Sequence, residues 1–106
     1  MLRGTGKKIV MTEGDYGLDL PIKITGAEFQ ANDEIKMLIK PQRDGVVLLE
    51  KTFQNIQDNT INFSLTKEES SIFKPVNYVY VLDWYRDNDF LCNIVPDGTF
   101  KVEDKY

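Results

Sequence analysis

Few residues of this chain carry reactive chemistry, and one missing type narrows the choice. No histidine occurs among the 106 residues, which removes the commonest general base, the commonest metal ligand and the usual partner of a Ser or Cys nucleophile. Cys92 is the single cysteine, so no intrachain disulfide can form, which suits a reducing compartment. It stands among Phe90, Leu91 and Ile94 with no lysine close in sequence to lower its pKa, and is expected as a packed hydrophobe rather than a nucleophile.

Paired carboxylates could hydrolyse a glycosidic bond, and Asp15, Asp19, Asp83, Asp87 and Asp89 are the candidates. No spacing singles out two of them, and turn-forming surface residues account for all five. Asp87-Asn88-Asp89 has the clustered oxygens that hard cations take but lacks the glycine and distal glutamate of an EF-hand, so a hairpin loop is expected there. Gly4 and Gly6 form a fragment of a phosphate loop with no strand before them. Asn62-Phe63-Ser64 is a glycosylation sequon lying inside a strand-like run, in a chain whose start lacks the apolar stretch of a signal peptide. No catalytic residue, metal site or cofactor is therefore expected.

A formal charge of −4 disfavours phosphate backbones and anionic membranes, and Lys7-Lys8 is the only adjacent basic pair. Neither nucleic acid nor membrane is expected as a partner. No run approaches the roughly 18 apolar residues of a membrane span. With 42% hydrophobic residues, the chain can bury one core without staples and is read as one domain over 1–106, with 1–8 and 103–106 as arms.

The elements that would position any site follow from alternation of period two, broken every 8 to 12 residues by turn chemistry. Strands are expected at Ile9 to Met11, Tyr16 to Ile22, Ile35 to Ile39, Val46 to Phe53, Ile61 to Leu65 and Asn77 to Tyr85. Two more are expected at Phe90 to Val95 and Thr99 to Val102, separated by a tight turn at Pro96-Asp97-Gly98. Pro21 marks an edge or a bulge. Thr66 and Glu69 have capping-box spacing, predicting one short helical turn within 67–73 that drops Ile72 and Phe73 inward. The whole predicts an all-β, immunoglobulin-like β-sandwich of seven to eight antiparallel strands.

The strand from Asn77 places Tyr78, Tyr80, Leu82 and Trp84 on its core face. Val79, Val81, Asp83 and Tyr85 fall on the other face, where Val79, Val81 and Tyr85 together make an apolar patch expected to meet a partner protein. Tyr16 and Tyr85 could alternatively stack against sugar rings, which makes a carbohydrate-binding module recognising host cell-wall glycan the second reading.

The order Ile9-Val10-Met11-Thr12-Glu13-Gly14-Asp15, Val47-Leu48-Leu49-Glu50-Lys51, Ile61-x-Phe63-x-Leu65-Thr66-x-Glu68-Glu69 and Asn77-Tyr78-Val79-Tyr80 runs through most of the chain. This pattern resembles the amino-terminal immunoglobulin-like domain of phage baseplate upper proteins, found in tailed phages and prophages of Gram-positive bacteria. The resemblance implies a non-catalytic structural protein of the tail or baseplate, made in the host cytoplasm and carried in the virion. Its implied partners are other tail or baseplate proteins, with a homo-oligomer as one form such assembly could take.

Overall fold

A computed structural model describes residues 3–5, as backbone, and 7–105. The protein is all-β, with eight strands and one short helix among the described residues: β1 (Arg3–Thr5), β2 (Lys8–Thr12), β3 (Leu20–Lys23), β4 (Asp33–Lys40), β5 (Leu49–Gln54), β6 (Thr60–Phe63), α1 (Lys67–Ser70), β7 (Asn77–Arg86) and β8 (Asp89–Glu103). Six strands form a curled mixed sheet in the order β1-β2-β8-β7-β4-β5, and β3 pairs with β6 in a second, small sheet.

Alternation decides the faces. On β4, Ile35, Met37 and Ile39 are fully buried while Glu34, Lys36, Leu38 and Lys40 turn outward. On β7, Tyr78, Tyr80 and Leu82 point into the same core. Ile61 and Phe63 of β6 meet them from the small sheet, and Phe73, Phe100 and Val102 join the same cluster, with Ile9, Met11, Ile24 and Leu65. Phe63 of β6 and Phe100 of β8 stack edge to face at 5.9 Å, and Phe73 lies 5.1 Å from both Tyr78 and Phe100. Each such ring buried adds about 1.5–3 kcal/mol of transfer free energy, and edge-to-face pairs add about 0.5–1.5 kcal/mol.

The helical turn forms where its capping chemistry predicts. The Thr66 hydroxyl accepts from Glu69 N–H at 3.2 Å, and the Glu69 carboxylate accepts from Thr66 N–H at 2.9 Å. The same carboxylate pairs with Lys51 Nζ at 2.9 Å, tying α1 to the edge strand β5. Burial pushes the Glu69 carboxyl up, but the Thr66 N–H and the Lys51 ammonium outweigh it, so its pKa lies below the usual value. Just before β7, Lys74 N–H donates to the Tyr78 hydroxyl at 2.7 Å. Phe73 is buried as expected. Ile72 is exposed, because the chain leaves the short helix before a second inward position is reached.

Several expectations are corrected. The strands are not all antiparallel: β2 lies parallel to β8, from Lys8↔Thr99 to Thr12↔Glu103. These two strands are far apart in the chain, and alternation along either one says nothing about the direction of a distant neighbour. No tight turn divides β8, since Pro96 and Asp97 form a bulge opposite Val81, between the pairs Tyr80↔Gly98 and Leu82↔Val95. A bulge accommodates a proline, which has no N–H for the ladder.

The fourth strand starts at Leu49 rather than Val46, and Val46 is 73% exposed in the preceding loop. Likewise Tyr16 and Leu18 are exposed, and β3 starts at Leu20. Apolar residues at alternate positions do not make a strand without a neighbouring ladder to join. The 1–8 segment expected as an arm contributes β1 and the first residue of β2, and Glu103 ends β8. Met1, Leu2, Gly6 and Tyr106 lie outside the described residues.

Candidate functional site

Val79, Val81 and Tyr85 all sit on the outer face of β7, inside the large sheet between β4 and β8. Val81 stands opposite Leu38, Val79 opposite Lys40 and Thr99, and Tyr85 opposite Glu34 and Phe90. All three are half-buried, because the pleat packs each between neighbouring strands, while Phe90 is 58% exposed. Lys36 Nζ lies 4.6 Å from the centroid of the Tyr85 ring, and Phe90 meets that ring edge to face at 5.7 Å. The result is an apolar patch of Leu38, Val79 and Val81 beside Lys40, separated from the Tyr85 and Phe90 rings by the cross-strand pair Lys36 and Asp83. Tyr16 lies away from this face, in the 13–19 loop that precedes β3.

An ion pair between a buried carboxylate and a half-buried guanidinium stands at the end of β7. Asp33, 1% exposed, accepts from Arg86 Nε at 2.7 Å and Nη2 at 3.1 Å, and from Gln30 N–H at 2.8 Å. The Arg86 guanidinium holds the Asp33 carboxyl down to about 2, against the opposing effect of burial; Gln30 N–H helps, and so does the Trp84 indole, whose N–H falls short of a full hydrogen bond. Arg86 also lies 5.5 Å from the centre of the Trp84 ring, which packs on Phe29 at 4.9 Å. This cluster pins the 24–32 loop to the end of the large sheet. A depression of about 170 Å³ lies beside it, lined by Asn32, Asp33, Glu34 and Gln54, but the Asp33 carboxylate is taken up by Arg86 and Gln30 N–H, which suits a structural clamp.

The two sheets do not close on each other along one side. A groove of about 640 Å³ opens between β5 and β6, lined by Phe53, Gln54, Ile56, Asp58, Thr60 and Asn62 among others. In sequence, Asn62 is a strand residue within a sequon, and neither trait marks this groove. The available signal was that Thr60–Phe63 carries neither charge nor proline, as an exposed strand edge normally would.

The carboxylates weighed for chemistry are dispersed or occupied. Asp83 accepts from Asn93 Nδ2 at 2.6 Å, Asp87 accepts from Asn32, and Asp89 is exposed beside the hairpin. Asp87 and Asn88 form the two-residue turn, with φ of 53° and 67°, which explains their selection as turn formers. Among the described residues, no group of three or more His, Cys, Asp or Glu side chains could hold a metal ion. Cys92 is exposed rather than packed, a correction that follows from its place on the part of the β7–β8 hairpin where Phe90 and Leu91 are exposed too.

Among the described residues no helix is long and apolar enough to cross a membrane. No protein-family model matches the chain, and no curated protein matches it.

Proposed function

We propose that this chain is an immunoglobulin-like β-sandwich that acts as a non-catalytic assembly module of a phage or prophage tail or baseplate. Strand order supports the fold. The run β8-β7-β4-β5 has the arrangement of strands G, F, C and C′ of that sandwich, and β3-β6 that of B and E. The Tyr78 hydroxyl bound to Lys74 N–H at the start of β7 is the counterpart of the tyrosine corner.

The observation that carries the function is the outer face of the large sheet. Leu38, Val79 and Val81 form one apolar patch and Tyr85 with Phe90 a second, with Lys36 and Asp83 between them and Lys40 and Glu34 beside them, a mix of apolar and charged groups that suits a protein interface. The resemblance in sequence pattern adds the virion setting and the tail or baseplate partners.

The test is co-expression with the tail and baseplate proteins of the encoding phage or prophage, followed by size-exclusion chromatography with light scattering. The expected result is co-elution at fixed stoichiometry, weakened by Val81→Asp. A monomer that co-elutes with none of them refutes the assembly reading. Binding to cell-wall polysaccharide, read by intrinsic fluorescence, would transfer the face to glycan.

A further inference from the structure

The small sheet has two edges, and they are not equivalent. Ile24 N–H donates to Asn59 O at 2.7 Å, which fixes the parity of the ladder. Leu20 and Ile22 therefore exchange bonds with Phe63 and Ile61, while Pro21 turns its backbone to the far edge of β3 and Asn62 turns its own to the groove. Pro21 has no N–H to offer, so the β3 edge is blunted. The β6 edge carries no such guard.

Thr60 N–H is taken by Gln57 O at 3.0 Å. The Thr60 carbonyl and both backbone groups of Asn62 face the groove, and among the described residues no strand pairs with that side of β6. These groups repeat at strand spacing, so their natural complement is another extended backbone. Beneath that position Phe53 and Ile56 are half-buried beside the buried Ile61, a floor that suits an apolar side chain at every second residue. A second copy of β6 would supply only four residues, far short of the roughly 1,200 Å² that a stable interface buries. A segment longer than the edge can follow the whole groove.

We propose that the groove between β5 and β6 takes an extended peptide segment of another protein, apolar at alternate positions, which adds to the Asn62 edge of β6 as a third strand of the small sheet. This rests on the assembly reading above and gives it a second, chemically defined contact. The added strand exchanges two hydrogen bonds with Asn62 and donates one to the Thr60 carbonyl. Its inward side chains cover Phe53 and Ile56.

The probe is a fluorescein-labelled nine-residue peptide of alternating valine and threonine with a lysine at each end, titrated into the full chain by anisotropy. Saturable binding is expected, with the Asn62 amide newly protected from hydrogen exchange. Asn62→Pro removes a donor that the fold itself does not use, so it should weaken binding at least about tenfold while leaving cooperative unfolding intact. The exchange measurement on the unsubstituted chain needs no variant to fold.

Equal binding by Asn62→Pro, protection at the β3 or β5 edge instead, or no saturable binding to the unsubstituted chain overturns the proposal. So does self-association abolished by Asn62→Pro, which would give the groove to a second copy. Co-elution with a tail or baseplate protein that survives Asn62→Pro would leave the assembly reading standing without this strand site. Peptide addition without any co-elution would do the reverse.

Discussion

Gly98 is buried opposite Tyr80, and a Cβ placed on it would lie 2.3 Å from Cε1 and Cζ of the Tyr80 ring and 2.7 Å from Cδ1. Ordinary carbon contacts are about 3.5–4 Å, so Gly98→Ala obliges the ring to move by about 1 Å. Tyr80 is 3% exposed within the core, and burial raises the pKa of its hydroxyl, so the ring cannot swing clear without breaking its packing. Overpacking of this kind costs about 1–3 kcal/mol, and this contact belongs at the upper end. Restricting the unfolded chain returns about 0.5–1 kcal/mol. The expected net loss is about 2 kcal/mol, read by urea denaturation, with a fall in Tm of about 10 °C for a domain of this size. The decisive comparison is Gly98→Ala in a Tyr80→Ala background, where the ring is gone and the change becomes neutral or stabilising. A Gly98→Ala variant as stable as the parent, or one equally damaged in both backgrounds, would show that the ring does not set the requirement for glycine.

Four further outcomes follow from the described geometry. The folded Asp33 carboxyl is depressed from 3.8 to about 2, so its contribution is complete above the unfolded value and is lost as pH falls through the folded one. It amounts to about 1–2 kcal/mol once the partial exposure of Arg86 is allowed for, and urea midpoints of Asp33→Asn should show a correspondingly smaller loss between pH 4 and pH 2 than those of the parent. Ser70 buries a hydroxyl that has no hydrogen-bond partner, so Ser70→Ala should leave stability unchanged or raise it by up to about 1 kcal/mol in thermal melts. Thr66→Ala removes one arm of the capping box and should cost about 0.5–2 kcal/mol by chemical denaturation. Cys92 is exposed and should react with a thiol reagent in the folded protein as readily as in urea; protection released only by urea would contradict its position.

Local chemistry was legible where its effect is local. Ile35, Met37 and Ile39, and Tyr78, Tyr80 and Leu82, declare their shared inward faces by spacing alone, and all six are buried. Thr66 and Glu69 declare a helix start because both halves of the capping box lie within four residues. What escaped depends on distant neighbours. Val46, Tyr16 and Leu18 alternate as strand residues do, but nothing in a single segment shows whether a ladder is present to receive it. Pro96-Asp97-Gly98 has turn chemistry, yet the Tyr80 ring over Gly98 and the continued pairing of β8 with β7 turn it into a bulge within one strand. Cys92 has apolar neighbours in sequence, yet it lies on the stretch of the β7–β8 hairpin where Phe90 and Leu91 are exposed as well. The outer face of β7 was legible as a face; the groove was not, because it exists only where β5 and β6, which belong to different sheets, come to lie side by side.

The parallel pairing of β2 with β8 has a mechanical meaning. Five register pairs join them, from Lys8↔Thr99 to Thr12↔Glu103, and the bonds Thr99 N–H to Lys7 O and Glu13 N–H to Glu103 O prolong the seam at both ends. Tension entering the chain at Lys8 and leaving at Glu103 pulls the two strands past each other along their common axis. The load falls on every rung of the seam at once, in shear, where an antiparallel hairpin would open one rung at a time. Forced separation of the two strands must then break the rungs together, and the unfolding rate under load, rather than the equilibrium stability, sets how long the domain holds.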